Sequence, residues 1–162
     1  MALLLALSLV ARARGDRVVT VLHMNHDLRG RASLADAALV KHFASLLGVP
    51  CVVERLRWSG EKPSQEACRE KRMDFFRRQL RGEDRVFLGH HLDDQAETLM
   101  LRLLRGTGLR GLGGMKPVNG PFLRPLLKIP KSEISEAARD WGLPWREDAS
   151  NAKSKYERNW IR

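Results

Sequence analysis

Two kinds of apolar pattern alternate along the chain: short continuous runs typical of strands, and longer segments with helical spacing. Val18 to Met24 is a near-continuous apolar and β-branched run, and Cys51–Leu56 and Arg85–His90 predict two further strands. Runs of this kind are typical of strands buried on both faces of a parallel sheet. A short strand is also expected around Phe122 and Leu123.

Five segments with helical spacing lie between these strands and at the chain start. They cover residues 2–13, 33–47, 63–80, 92–105 and 132–141, and a glycine follows each of them closely. Strands joined by helices of this length imply right-handed crossovers. The pattern therefore predicts an α/β fold with a parallel, Rossmann-like sheet, in one domain over residues 1–162.

The opening run, Met1 to Val10, resembles a signal peptide only in its hydrophobicity. It lacks a basic start, and Arg12, Arg14 and Arg17 follow where a cleavage site would need small residues. It is also too short to cross a bilayer. We interpret it as a buried helix and expect no membrane partner.

The charge balance is strongly basic, with 29 Lys and Arg against 19 acids and a formal charge of +10. Such an excess favours polyanionic partners, although a basic solvated surface explains it equally well. The two cysteines, Cys51 and Cys68, form no CxxC pair. We expect them to be reduced packing residues in a cytoplasmic protein.

Polar residues are dense where two of the predicted strands end. The first strand runs into His23, Asn25, His26, Asp27 and Arg29, and the third runs into His90, His91, Asp93, Asp94 and Glu97. Ligands of open parallel sheets bind beyond the carboxyl ends of the strands. We therefore expect the two clusters to converge on one ligand crevice.

The acids at the start of the fourth helix have two explanations. Asp94 and Glu97 are three residues apart, as in a helix cap, which would account for one or two acids. A cap does not account for Asp93 and the His90–His91 pair as well, so a functional site is favoured. A metal site at these residues remains an alternative, and His23 and His26 taken singly are typical of structural histidines.

Two further features carry weaker signals. The stretch Gly106–Gly114 is rich in glycine, as phosphate-binding loops are, but it follows a helix and matches neither the P-loop nor the Rossmann fingerprint. Arg69 and Arg72 lie one helical turn apart and could face either a phosphate or water. Arg105 stands at the base of the glycine-rich stretch.

Several strings occur in the order found in tRNA(Ile)-lysidine synthases, and nearly the whole chain resembles that family. These are HMNHDLRG, EACREKRMDFF, LGHHLDDQAETLMLRLLRGTGLRGLGGM, RPLL, WREDASN and YERNWIR. GHHLDDQAET followed by LLRGTGLRGL is the most specific part. Related ATP pyrophosphatases share only the shorter HH-x-DD-x-x-ET core.

The resemblance implies an N-type ATP pyrophosphatase (adenine nucleotide alpha hydrolase-like) domain with strand order 3-2-1-4-5. Such an enzyme adenylates the wobble cytidine of a tRNA(Ile) with a CAU anticodon, and free lysine then displaces AMP to leave lysidine. ATP and magnesium are the implied cofactors, tRNA(Ile) and free lysine the implied partners, and a homodimer is compatible with the family. The implied location is the cytoplasm, or an organelle if a transit peptide precedes the chain.

The same resemblance assigns site residues. Asp94 and Glu97 match the essential acids for lysine and magnesium handling, with Asp94 as the magnesium candidate. The residues matching nucleotide or substrate positions are His23, Asn25, His26, Arg69, Arg72, His90, His91, Asp93 and Arg105.

Three departures from the family pattern matter. Asp27 stands where the family has Gly, and a left-handed backbone conformation tolerates Asp better than most residues. Met73 stands where the family has Tyr. The Ser-Gly-Gly-x-Asp-Ser loop and the strand before it, strand 1 of the order above, are missing. We expect that an internal Met was taken as the start or that the gene is broken upstream. The chain alone should then fold poorly or re-pair the two strand edges left open, and it should not hydrolyse ATP. Its tail from about residue 155 leads toward absent tRNA-binding domains.

Two rival functions are kept. A tRNA 2-thiolation ATP pyrophosphatase shares the HH-x-DD-x-x-ET core, but such enzymes use cysteine pairs that Cys51 and Cys68 do not form. A noncatalytic RNA-binding remnant would fit the +10 charge and the missing loop.

Overall fold

The computed structural model describes residues 1–15, 17–58, 63–106 and 113–144. The chain forms two compact units, Met1–Gly82 and Glu83–Arg162. None of the helices in these described ranges is long and apolar enough to cross a lipid bilayer.

The first unit contains three helices and a pair of parallel strands. In chain order the elements are α1 (Ala2–Arg14), β1 (Val21–Asn25), α2 (Arg31–Leu46), β2 (Cys51–Arg55) and α3 (Gln65–Gln79). β1 pairs with β2 in parallel, with Val21 opposite Cys51 and Asn25 opposite Arg55. The helix α2 makes the crossover between them, as the sequence predicted.

Aromatic residues form the core of this unit. Phe43 on α2 and Phe75 and Phe76 on α3 are buried, together with Met24 on β1. α3 begins at a cap in which the hydroxyl of Ser64 accepts a hydrogen bond from the Ala67 amide at 3.1 Å. α3 packs against β1, and Arg72 on α3 lies near enough to His26, just after that strand, to lower the pKa of the histidine.

The described part of the second unit contains a small mixed sheet and two helices. Its elements are β3 (Val86–Phe87), α4 (Leu92–Leu104), β4 (Val118–Asn119), β5 (Phe122–Leu123) and α5 (Lys131–Asp140). β3 pairs with β5 in parallel, and β4 pairs with β5 antiparallel. Val86, Phe122, Leu127 and Leu143 supply its buried apolar residues.

The predicted fold class is confirmed, and so are two neighbour pairs of the implied strand order. The strand at 51–55 lies beside the one at 21–25, and the strand at 86–87 lies beside the one at 122–123. The short antiparallel strand Val118–Asn119 was not predicted. Its signal is the turn at Gly120, which has φ of 55° and joins two strands of only two residues each.

Two expectations about burial were wrong. Val18 is 88% exposed, and β1 begins only at Val21. The hydrogen bonds between β1 and β2 start with the one from the Val21 amide to the Pro50 carbonyl. The residues before Pro50 form the turn that ends α2, so no strand of the described residues lies beside Val18 there. The opening helix forms as predicted, but Leu9 and Val10 are more than half exposed and only Ser8 and Ala11 are buried.

Candidate functional site

The turn after β1 is held by the residues that follow β2. The buried Asn25 accepts a hydrogen bond from the Asp27 amide on its side-chain oxygen at 2.8 Å. Asp27 has φ of 54°, the left-handed conformation expected for it, and its carboxylate accepts from Arg55 Nε at 3.0 Å and Nη2 at 2.7 Å. The indole of Trp58 donates to the His26 carbonyl at 2.9 Å. The turn is therefore rigidly tied to the neighbouring strand.

Two histidines on this strand and turn are held toward the neutral form. Burial lowers the pKa of His26, and the positive charge of Arg72, with that of His23 when it is protonated, lowers it further. Burial also lowers the pKa of His23, with Asp36 partly opposing it. Within the described residues, Nδ1 of His26 is buried without a hydrogen-bond partner. The structure thus brings His23, His26 and Arg72 together, whereas Arg69 is exposed one turn earlier on α3.

The start of α4 is capped, but one turn earlier than the spacing of Asp94 and Glu97 suggested, because His91 is the N-cap and Asp94 stands at the N3 position. The Asp94 carboxylate accepts a hydrogen bond from the His91 amide at 3.1 Å and lies 3.4 Å from Nε2 of the same residue. Glu97, one turn later, is 5% exposed. The cap accounts for Asp94, whereas Glu97 lies beyond the cap and is buried inside the fold.

Asp93 has a structural contact that the sequence did not predict. Its carboxylate accepts a hydrogen bond from the Lys131 amide at 2.7 Å, at the first residue of α5, and lies 3.4 Å from His91 Nδ1. The bond to the Lys131 amide is the main reason that the pKa of Asp93 is lowered. Asp93 therefore joins the amino-terminal ends of α4 and α5.

We expect the substitution Asp93→Asn to reduce the fall in the free energy of unfolding that accompanies acidification. The pKa of Asp93 lies below its ordinary value of 3.8, so its charge stabilises the fold above that value and the benefit is lost as pH falls through the folded-state pKa. At neutral pH the variant should lose less than about 1 kcal/mol, because an asparagine oxygen still accepts from Lys131 and the site is exposed. Urea unfolding from neutral pH to about pH 2 measures this.

A matched control for this prediction is Asp140→Asn, at the opposite end of α5. A negative charge there opposes the helix dipole, so its removal should leave the neutral-pH stability unchanged or slightly raised. An Asp93→Asn variant with the acid dependence of the parent chain would contradict the prediction.

The residue that sequence reasoning missed is Arg124. It follows β5 directly, is 7% exposed, and donates from Nε to His90 Nδ1 at 3.2 Å and from Nη1 to the Lys116 carbonyl at 2.9 Å. The available signal was its place at the end of a strand that lies beside the strand leading into His90.

The segment after the glycine-rich stretch is anchored on α4. The Gln95 side chain accepts from the Met115 amide at 2.7 Å and donates to the Met115 carbonyl at 3.1 Å, and Arg102 donates to the Gly114 carbonyl at 3.2 Å. Arg105 ends α4 and is exposed. Outside the described residues lie positions 107–112 of the glycine-rich stretch Gly106–Gly114 and the strings WREDASN and YERNWIR.

The acids of α4 fit magnesium delivered with a nucleotide better than a metal site made of protein alone. In the described ranges, no three His, Cys, Asp or Glu side chains are grouped as a metal site. Magnesium on a nucleotide needs only one or two carboxylates besides phosphate oxygens. Asp94, in the first turn of α4, supplies one such carboxylate.

Comparison with known proteins gives a consistent family. The model of the PP-loop domain matches residues 1–162. A tRNA(Ile)-lysidine synthase of Solibacter usitatus is 42% identical over 151 residues, covering 91% of this chain and 34% of the relative. That of Rhodopirellula baltica is 38% identical over 157 residues, covering 89% and 40%. The chain thus spans little more than a third of the length of these relatives.

A solved structure supports the fold. The U34-tRNA thiolase NcsA of Methanococcus maripaludis, with its [4Fe-4S] cluster, matches with a TM-score of 0.67. The match covers 94% of this chain and 57% of the thiolase at 20% sequence identity. At that identity the likeness concerns the fold alone.

Proposed function

Because this chain belongs to the PP-loop domain family, we propose that it acts in the ATP-dependent attachment of lysine to the wobble cytidine of a tRNA(Ile) with a CAU anticodon. The observation that carries the proposal is the start of α4. There a buried Glu97 lies one turn from Asp94, after His90 and His91. The relatives named above supply the substrate class.

The reaction needs two steps. The 2-carbonyl oxygen of cytidine attacks the α-phosphorus of ATP and pyrophosphate leaves. The lysine amine then attacks C2 of the adenylated base, a carbon–nitrogen bond forms, and the oxygen leaves with AMP. Adenylation is required because a carbonyl oxygen by itself is a poor leaving group.

The acids of α4 suit the second step. A lysine amine is protonated at neutral pH and must lose a proton before it attacks. A carboxylate such as Glu97, shielded from water, orients the ammonium and accepts that proton. Magnesium, when bound with ATP, would neutralise triphosphate charge, and Asp94 is the residue that would hold it.

The cluster of the first unit suits the nucleotide. Neutral His23 and His26 offer ring nitrogens for hydrogen bonds without adding charge, while Arg72 supplies the positive charge for a phosphate. We assign Asn25 to shaping the turn that carries His26. Arg69, His91, Asp93 and Arg105 remain further candidates for substrate contact.

The proposed setting follows from the substrates. tRNA, ATP and free lysine occur together in the cytoplasm or in an organelle that makes proteins, and the +10 charge suits tRNA binding. A homodimer is compatible with the proposal but not required by it.

The test is ATP-dependent incorporation of labelled lysine into this tRNA. It should be run on the 162-residue chain and on the same chain extended in frame upstream, with pyrophosphate release measured in parallel. The control is the same tRNA with wobble cytidine replaced by adenosine, which lacks the 2-carbonyl. Transfer of sulfur rather than lysine, or tRNA binding with no ATP turnover in the extended protein, would contradict the proposal.

A further inference from the structure

The buried position of Arg124 calls for an explanation beyond packing. A guanidinium in the interior is costly unless its N–H groups find acceptors. Arg124 is 7% exposed and donates to one backbone carbonyl, that of Lys116, and to the ring nitrogen Nδ1 of His90. Its own amide also donates to the Pro117 carbonyl at 2.8 Å. Arg124 is therefore held both through its main-chain amide and through its guanidinium group.

The sheet explains why the two side chains meet. β3 and β5 are parallel neighbours, with Phe87 opposite Leu123, and the Leu88 amide donates to the Leu123 carbonyl at 2.8 Å. Arg124 and His90 thus leave the same edge of the sheet, one from each strand. Their contact follows from the register of the ladder.

The contact has a chemical consequence for His90. Guanidinium nitrogens only donate hydrogen bonds, so Nδ1 of His90 must accept with its lone pair. In a neutral imidazole the proton then resides on Nε2. An imidazolium is incompatible with the contact, because both of its nitrogens carry protons.

We propose that Arg124 is a positioning residue that locks His90 as the Nε2–H tautomer, so that His90 offers a hydrogen-bond donor, and no proton acceptor, to an anionic oxygen of the nucleotide. The second half of this proposal rests on the proposed function, whereas the tautomer does not. Removal of a proton from the lysine amine is thereby left to the carboxylates of α4.

Nitrogen NMR of the ¹⁵N-histidine-labelled chain reads the tautomer directly. The signals of His90 are identified among those of the five histidines by their loss in His90→Asn. The expected result is one unprotonated, hydrogen-bonded Nδ1 and one protonated Nε2. In Arg124→Met both nitrogens should move to averaged shifts as the two tautomers exchange, and Arg124→Lys, which keeps one donor, should restore most of the parent pattern.

The matched control is Arg139→Met, an exposed arginine of α5, which should leave the His90 signals unchanged. A protonated Nδ1 in the parent chain would overturn the proposal, and so would an Arg124→Met variant that is folded and keeps the parent shifts. If Arg124→Met does not fold, the parent spectrum and Arg124→Lys still decide the matter.

Addition of ATP with magnesium chloride tests the donor role. The Nε2 signal of His90 should move while Nδ1 stays unprotonated. ATP binding seen at other histidines without a change at Nε2 would overturn the donor role. No ATP response anywhere, in the extended chain as well, would contradict the proposed function and leave the tautomer to be judged by the first spectra.

Discussion

Replacing Glu97 with Gln is expected to reduce the rate of lysine incorporation by about 100-fold or more, the range typical for loss of a general acid or base. Glutamine keeps the size of this buried side chain and one oxygen acceptor, but it replaces the second carboxylate oxygen with an NH2 donor and removes both the charge and the ability to take a proton. Lysine incorporation by the extended protein at saturating ATP measures the effect. Circular dichroism checks that the variant is folded.

Two comparisons sharpen this prediction. Glu136→Gln, an exposed glutamate of α5, should leave the rate unchanged. Asp94→Asn should also lower the rate while preserving the start of α4, since the asparagine oxygen can still accept from the His91 amide. Activity of Glu97→Gln within a factor of about three of the parent would remove this residue from the mechanism, because such a difference is worth less than 1 kcal/mol.

The elements that could be predicted are those whose pattern is local. The helical spacing of 33–47 and the β-branched run ending at Met24 correspond to α2 and β1. The parallel pairing of β1 with β2 was predicted from the length of the helical crossover between them. The extent of each strand could not be predicted, because it depends on the partner: β1 starts where β2 does, and Val18 is left in solvent although it is as apolar as its neighbours.

The site residues divide in the same way. The order of His and acidic residues at a strand end was visible in the sequence, and it identified the start of α4. That Asp93 caps α5 through the Lys131 amide was not visible, because 38 residues separate the two and nothing local signals the contact. Arg124 was missed for the same reason, since its side-chain partner, His90, lies 34 residues away in the segment that follows β3.

Replacing Arg72 with Met is expected to weaken ATP binding by about tenfold to 100-fold, as for the loss of one hydrogen bond to a charged group. The structure supports a role for this arginine because its charge is felt at His26, at the end of β1. The substitution should therefore also raise the pKa of His26, while burial of the ring keeps that pKa below its ordinary value of 6.5. The KM for ATP and an NMR titration of His26 measure the two effects.

The two readouts of Arg72→Met separate a nucleotide contact from a structural one. Arg77→Met on the same helix removes an exposed arginine paired with Asp74 and should change neither quantity. A raised His26 pKa with unchanged ATP binding would show that Arg72 acts on the turn alone. Loss of ATP binding together with the pKa change would place the phosphate near His26, because Arg72 then contacts the phosphate and also lies close to the His26 ring. A neutral His26 ring can lie beside the Arg72 cation without charge repulsion.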